Sequence, residues 1–177
     1  MRRFIILFAW LSTITLTSCD VFSEQEVDWM PVEVKLKVTD EQGTDLLDPE
    51  NPNNMIDGTT ITYKGQTYAA SRERWEDWLS NNHQETRAIL AQIHGLLLMR
   101  DDIIGLSTQK GFTLLFGDID GAKDMDEDLV VTLPNGDTGI IHYHCSNHNE
   151  RKLKCDRTWT FNGKKTDGKI FTFVVSN

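Results

Sequence analysis

The sequence predicts an all-β domain of about eight or nine strands with one short helix. Two observations carry this prediction: one segment alternates strictly between apolar and polar residues, and two Asn-Gly dipeptides lie between β-rich runs. The 177 residues are 39% hydrophobic and 25% charged. This balance is typical of a single globular domain and unlike that of disordered or collagen-like chains.

The net charge argues against one class of ligand. Lysine and arginine residues number 18, against 27 aspartate and glutamate residues, and the formal net charge is −9. Because an acidic protein repels phosphate backbones, we expect no nucleic-acid partner.

The amino terminus has the layout of a secretory signal peptide. Arg2 and Arg3 precede a largely apolar run that ends at Leu16. At about 1.5 Å per helical residue this run is too short for the roughly 30 Å hydrocarbon core, so a membrane-spanning anchor is the weaker alternative. The tetrapeptide Leu-Thr-Ser-Cys at 16–19 resembles the lipobox of bacterial lipoproteins. The resemblance implies cleavage before Cys19 and lipidation of its thiol.

Residues 19–30 are expected to form an acidic tether between the lipid and the folded domain. Its portion from Asp20 to Asp28 has few apolar residues and four acidic ones: Asp20, Glu24, Glu26 and Asp28. It resembles the acidic segment after the lipidated cysteine that is associated with surface export in Bacteroidetes lipoproteins, and an arbitrary polar linker is the alternative. The chain is thus divided into a leader over 1–18, a tether over 19–30 and a β domain over 31–177.

The first strand and the first hairpin follow from alternation and turn chemistry. Residues 32–39 alternate valine or leucine with charged or polar residues, which predicts a half-buried antiparallel strand. Residues 45–58 are rich in Asp, Asn and Pro and are expected to form a loop. The runs 59–63 and 66–70 flank Lys64-Gly65, a two-residue connection typical of a β-hairpin.

The second half of the chain predicts further strands joined by Asn-Gly turns. The expected strands are 112–116, 128–133, 138–145, 158–161 and 170–175. Asn135-Gly136 lies between the second and third of these runs, and Asn162-Gly163 lies between the last two. Both dipeptides favour hairpins.

The segment that follows the first hairpin is ambiguous. A short helix over 72–80 would place Trp75 and Trp78 on one face. Residues 86–99 are rich in Ala, Leu and Gln, which favours a helix, but Gly95 interrupts them and part of the run alternates. Local rules leave both helix and strand open for 86–99.

Three longer segments, together with the lipobox, resemble a group of small cell-surface lipoproteins of Bacteroidetes bacteria. They are residues 45–68, 112–143 and 157–166. The shared features are an acidic, proline-containing loop before a hairpin, a Leu-x-Phe-Gly sequence followed by acidic residues, and an aromatic strand that turns at Asn-Gly. The resemblance implies an immunoglobulin-like antiparallel β-sandwich and a strand at about 87–99. It implies no activity, because the function of that group is not established.

A disulfide is expected between Cys145 and Cys155. The two cysteines lie at the ends of neighbouring expected strands in a chain that leaves the reducing cytoplasm. The bond would close the polar loop 146–154 and stabilise it by roughly 3 kcal/mol on the chain-entropy model. Two free thiols are the alternative.

Three histidines form a candidate metal site. His142, His144 and His148 lie close together in sequence, and a strand places the first two on one face. With Cys145 they could chelate zinc, although the spacing matches no recognised zinc motif. Solvent-facing strand histidines are the favoured alternative.

A second candidate metal site is the acidic loop expected around Asp118, Asp120 and Asp124, which also contains Asp126, Glu127 and Asp128. Carboxylate oxygens are the ligands that calcium selects. No reading frame of the loop supplies the ligand spacing of an EF-hand, so a solvated acidic connection is the favoured alternative.

Aromatic residues offer a candidate sugar platform. Trp75, Trp78 and Trp159 could stack on sugar rings if they are exposed, with Tyr63, Tyr68 and Tyr143 as further candidates. The alternative is that this face closes one end of the core, and Trp159 is expected in the core.

No sequence motif names a reaction. Nucleophile-elbow, zinc-protease, phosphate-loop and dinucleotide-binding patterns are all absent, so we expect neither an enzyme nor a bound cofactor. The expected function is that of an outer-membrane lipoprotein, exposed at the cell surface, which acts as a binding or accessory module for a glycan or an envelope protein. A structural envelope protein with no small-molecule ligand is the alternative.

Overall fold

The computed structural model describes residues 31–70, 94–102, 104–108, 110–122, 124–147 and 155–176. This part of the chain is all-β. Its strands are β1 (Val32–Asp40), β2 (Thr60–Tyr63), β3 (Gln66–Ala69), β4 (Leu96–Arg100), β5 (Phe112–Ile119), β6 (Met125–Thr132), β7 (Thr138–Asn147), β8 (Cys155–Phe161), β9 (Lys164–Thr166) and β10 (Phe171–Val175). Within these ranges there is no helix long and apolar enough to cross a bilayer.

The strands form two sheets that face each other across one core. The smaller sheet has the order β10-β1-β5-β4, and the larger has the order β3-β2-β6-β7-β8-β9. Buried apolar side chains from both sheets form a single cluster. Aromatic contacts cross the interface: the ring centroids of Tyr63 and Phe116 are 6.1 Å apart, and those of Trp159 and Phe171 are 5.3 Å apart. The burial of these faces is the main driving force for the fold.

The first strand and first hairpin are confirmed. Val34, Leu36 and Val38 of β1 are buried, as the alternation predicts. Strands β2 and β3 pair antiparallel. Lys64 and Gly65 between them have φ angles of 47° and 79°, the pair of positive values that a tight two-residue hairpin requires.

The hairpin turn at Asn162-Gly163 is confirmed, but the run 170–175 predicted as its second strand is not the strand that pairs there. Asn162-Gly163 turns the chain into β9, a three-residue strand that the sequence did not predict. Strand β10 crosses to the other sheet and pairs with β1 in parallel, with Leu36 opposite Phe171, so the sheets are not wholly antiparallel. The reason is burial: Phe171 and Phe173 place their rings against Phe161 of the opposite sheet. If β10 lay beside β8 in the larger sheet, Phe171 and Phe173 could not contact Phe161 across the core.

The ambiguous segment contains a strand where the structure describes it. β4 covers the last four residues of the range 86–99 and extends one residue beyond it. The strand that the family resemblance implies is therefore confirmed over residues 96–99. The four residues from Leu96 to Met99 are all buried, so both faces of β4 are covered. The expected helix over 72–80 lies outside the described residues, and the described part of the chain contains no helix.

A buried polar cluster joins three strands of the smaller sheet. Asp101, which follows β4, is 2% exposed. Its carboxylate lies 2.5 Å from Lys37 Nζ of β1 and accepts a 2.6 Å hydrogen bond from Thr113 Oγ1 of β5. A buried carboxylate with an ion-pair partner and a hydroxyl donor is satisfied, so the cluster fixes these three elements relative to one another.

Asp45 anchors the loop that follows β1. Its carboxylate accepts hydrogen bonds from the backbone N–H groups of Leu47 (2.8 Å) and Phe112 (2.9 Å). Burial nevertheless raises the pKa of Asp45 above its ordinary 3.8, because the loss of solvent outweighs the two hydrogen bonds and the attraction of Lys37.

The raised pKa of Asp45 predicts a pH dependence of stability. The native protein takes up this proton at a higher pH than the unfolded chain, so protonation favours the native state. As the pH falls from 7 through the raised pKa towards 3.8, the wild type should gain stability relative to Asp45→Asn. Urea titrations of both proteins at several pH values measure the difference. If the difference in unfolding free energy between the two proteins does not change with pH, or changes in the opposite direction, the prediction is contradicted.

Candidate functional site

An open groove lies where the edges of the two sheets meet. We call it the Tyr68 groove. The residues that line it come from the β2–β3 hairpin, from β5 and from the segments that flank β4 and β5: Tyr63, Lys64, Gln66, Tyr68, His94, Gly95, Asp118 and Asp120. Its part next to the β2–β3 hairpin has a volume of about 230 Å³.

The aromatic wall of the groove is held in place by the core. Phe116 of β5 contacts two tyrosine rings edge to face, Tyr63 at 6.1 Å and Tyr68 at 4.9 Å between centroids. Edge-to-face aromatic pairs contribute about 0.5–1.5 kcal/mol beyond simple burial. Tyr68 is half-buried, and loss of solvent together with the charge of Asp118 raises the pKa of its hydroxyl. The hydroxyl is therefore neutral at physiological pH and can both donate and accept.

The acidic wall is built around Asp118. Its Oδ2 accepts a 2.6 Å hydrogen bond from the backbone N–H of Gly95, and its Oδ1 lies 2.9 Å from Nδ1 of His94. These contacts join the end of β5 to the residues just before β4 and fix the carboxylate in the groove. His94 keeps 74% of its side chain exposed, so its ring faces solvent beside the groove.

Three polar groups of the groove are open to a ligand. The amide of Gln66, the hydroxyl of Tyr68 and the carboxylate of Asp120 have no hydrogen-bond or ion-pair partner among the residues that the structure describes. Two of the three can donate as well as accept, and the carboxylate accepts only. Together they suit a ligand that carries several hydroxyl groups.

The lysine at the rim is already neutralised. Lys64 Nζ lies 3.0 Å from Glu127 Oε1, and hydrogen bonds to Glu127 and then to Tyr63 raise the pKa of Lys64. Its ammonium group also lies 5.2 Å from the centroid of the Tyr63 ring. Because this cation is paired while Asp120 has no partner within the described residues, the groove favours neutral or positively charged ligands over anions.

The histidines of the candidate metal site lie beside aspartates of the neighbouring strand. His142 and His144 do lie on one face of β7, and that face points to solvent. His142 Nδ1 lies 2.8 Å from Asp128, and His144 Nδ1 lies 3.4 Å from Asp126 on the neighbouring strand. No group of three or more His, Cys, Asp or Glu side chains in the described part of the chain is arranged to hold a metal. His148 lies outside that part.

The three aspartates of the predicted calcium site are also dispersed. Asp118 and Asp120 line the Tyr68 groove, whereas Asp124 lies just before β6. They form no metal-binding group within the described ranges. Asp118 lies within β5, Asp120 directly follows that strand and Asp124 precedes β6, so the three carboxylates are not wrapped around a common centre.

The structure does not contain the expected disulfide at Cys145, which is a free, buried thiol. Strand register places Arg157 opposite Cys145 and Asn147 opposite Cys155. The two cysteines are thus diagonal neighbours, for which Cα atoms are about 7–8 Å apart, beyond the usual reach of a disulfide.

The tryptophans have separate outcomes. Trp75 and Trp78 lie outside the described residues. Trp159 is 9% exposed and belongs to the core, as expected.

Gln66 and His94 of the groove were not expected from the sequence, because neither belongs to a motif. The pairing of the sheet edges brings them together.

Comparisons of this chain with protein-family models, with curated proteins and with solved structures find no match in any of the three. The chemistry of the Tyr68 groove is therefore the observation on which a function can rest.

Proposed function

We propose that this chain is a lipid-anchored binding module that holds a glycan in the Tyr68 groove. The observation that carries the proposal is the set of polar groups that lack partners among the described residues and lie beside a fixed aromatic ring: Gln66, Tyr68 and Asp120. A sugar presents hydroxyl groups at its edges and C–H groups on its faces. Carboxylate and amide oxygens accept the hydroxyl hydrogens, and a tyrosine ring contacts the C–H face.

The charge of the groove supports a neutral ligand. Lys64 is paired with Glu127, and Asp118 is held by His94 and Gly95. Among the described groups that line the groove, the charge left without a partner belongs to Asp120, so a phosphate or carboxylate ligand would be repelled. A neutral oligosaccharide avoids this repulsion.

The setting of the module is proposed from its amino terminus. Lipidation at Cys19 and the acidic tether over 19–30 would hold the domain at the outer membrane, on the cell surface, as in the Bacteroidetes lipoproteins that the sequence resembles. The proposed role is binding without catalysis, as part of a glycan-capture or accessory assembly.

The finer architecture is proposed to be an immunoglobulin-like sandwich. Two facing sheets with an alternating inner face support this proposal. The chain also pairs its first and last described strands in parallel, which brings both ends of the domain to one sheet.

The glycan proposal predicts the effect of two conservative variants. Gln66→Ala and Tyr68→Phe each remove one hydrogen-bonding group from the groove without removing a core contact. Each should weaken oligosaccharide binding about fivefold to tenfold, because one hydrogen bond contributes about 1 kcal/mol. Isothermal titration with a panel of neutral oligosaccharides measures the effect on the full-length chain in detergent.

Gln42→Ala is the matched control. Gln42 is an exposed glutamine in the turn after β1, whereas the groove lies near the opposite end of that strand, where Val32 pairs with Ile119. The control should bind as the wild type does. Absence of binding to every oligosaccharide, or wild-type affinity in the Gln66 and Tyr68 variants, would favour a structural envelope role with no small-molecule ligand.

A further inference from the structure

A second cavity lies at the mouth of the core beside the start of β1. We call it the Trp159 pocket. Its volume is about 340 Å³, within the usual range for small-molecule sites. It is lined by Pro31, Val32, Glu33, Tyr143, Arg157, Trp159 and Gly168. It shares no residue with the Tyr68 groove.

The floor of the pocket is aromatic. The rings of Tyr143 and Trp159 have centroids 4.2 Å apart with an angle of 35° between their planes, and Trp159 also packs on Phe171. Gly168 lies so close to the indole that a Cβ atom at this position would overlap the Trp159 ring. The backbone of the β9–β10 connection therefore closes one side of the pocket against a rigid aromatic surface.

Arg157 occupies an unusual position for a charged residue. It pairs with Cys145 in the β7–β8 register and precedes Trp159 by two residues, so it belongs to the inner face of the larger sheet. Inner-face positions of facing sheets are normally apolar. Arg157 lies at the exposed end of this face, and no ion pair or hydrogen bond joins its guanidinium to another residue in the described part of the chain.

The acid that lines the pocket does not neutralise Arg157. Glu33 has its carboxylate 3.8 Å from Lys35 Nζ, and it forms no ion pair with the arginine within the described residues. The guanidinium therefore keeps its five N–H donors available at the mouth of an aromatic cavity. The nearby Glu33 favours a ligand with a single negative charge over one with two.

We propose that the Trp159 pocket binds a small carboxylate ligand that carries an apolar or aromatic body. Arg157 would take the carboxylate through two parallel N–H···O bonds, a geometry that suits guanidinium groups. The body of the ligand would pack on the accessible edge of Trp159, whose ring is held from behind by the buried Tyr143. This site is independent of the glycan proposal, since the two cavities share no residue and favour ligands of different charge.

The test compares two probes that differ in charge but not in body. 4-Phenylbutyrate carries a carboxylate, and 4-phenylbutanol replaces it with a hydroxyl. Tryptophan fluorescence and isothermal titration of the full-length chain in detergent should detect binding of 4-phenylbutyrate, and the alcohol should bind at least about tenfold more weakly. Both probes partition into detergent. The deciding comparison is therefore between the affinities of different protein variants for the same probe, 4-phenylbutyrate.

Arg157→Gln should weaken 4-phenylbutyrate binding at least about tenfold, since it removes a charge-assisted pair of hydrogen bonds. Arg157→Lys keeps the charge but not the planar fork, and its affinity should be intermediate. Lys165→Gln is the matched control, because Lys165 lies opposite Thr160 on the outer face of the same sheet and its loss changes the net charge equally. It should bind as the wild type does.

The proposal is overturned if the wild type does not bind 4-phenylbutyrate, or if the alcohol binds equally well. It is also overturned if Arg157→Gln and Lys165→Gln change the affinity to the same extent. Arg157 is exposed, so its variants should keep the thermal unfolding midpoint of the wild type, and this measurement separates loss of binding from loss of fold.

Discussion

Replacement of Asp101 by asparagine should lower the free energy of unfolding by about 2–3 kcal/mol. The carboxylate is almost fully buried between Lys37 Nζ and the Thr113 hydroxyl. Asparagine can still accept from Thr113, but it places an amide donor or a neutral oxygen against the ammonium group. Removal of one partner of a fully buried pair costs about 3–5 kcal/mol, and the partial exposure of Lys37 reduces that cost.

Urea unfolding of Asp101→Asn and of Asp102→Asn measures this effect. Asp102 is the adjacent residue, and it forms a surface ion pair with Arg100. Its loss should cost less than about 1 kcal/mol, because exposed ion pairs contribute little. If both variants lose the same free energy of unfolding, the buried Asp101 carboxylate stabilises the protein no more than the exposed Asp102 carboxylate does.

Replacement of Gly168 by alanine should cost about 3 kcal/mol. Gly168 has a φ of 71°, a conformation that costs an alanine about 1 kcal/mol or more. The added methyl group would also overlap the indole of Trp159, which is packed between Tyr143 and Phe171 and cannot move freely. Overpacking of this kind adds about 1–3 kcal/mol.

Gly163→Ala separates these two causes. Gly163 has a φ of 75°, and apart from its own atoms and its two chain neighbours no described atom lies within 4 Å of the position that the methyl carbon of an alanine would take. Its substitution therefore carries only the backbone cost of about 1 kcal/mol. Thermal and urea unfolding of both variants should show the larger loss at residue 168. A loss at residue 168 no larger than that at residue 163 would mean that the Trp159 ring moves aside at little cost.

The elements that the sequence predicted correctly are those whose signal is local. The alternation of β1 needs only one buried face, and Lys64-Gly65 needs only two positive φ angles. Strand β4 is buried on both faces, so its apolar residues do not alternate and periodicity leaves helix and strand open for it, whereas the short apolar run 112–116 predicts β5 correctly. For β10, the alternation identified a strand correctly, but only contacts across the core determine which sheet it joins.

The candidate sites could be predicted only in part for the same reason. Tyr68 and Asp118 were each noted from the sequence, but they lie on strands of different sheets, and their approach depends on how the sheet edges meet. Arg157 gave no signal at all, because a charged residue near the end of a strand is usually a solvated one. Its position beside an aromatic floor follows from the β7–β8 register.

The position of β1 also determines how the domain responds to mechanical load. This strand is the first described element, and it is hydrogen-bonded on both sides, to β10 and to β5. A pull on the amino end, such as a lipid anchor would exert while a ligand is held, acts along the strand axis. Both rows of hydrogen bonds are then sheared together and are not peeled apart one at a time. The strand nearest the proposed tether is therefore the one best placed to resist extraction from the fold.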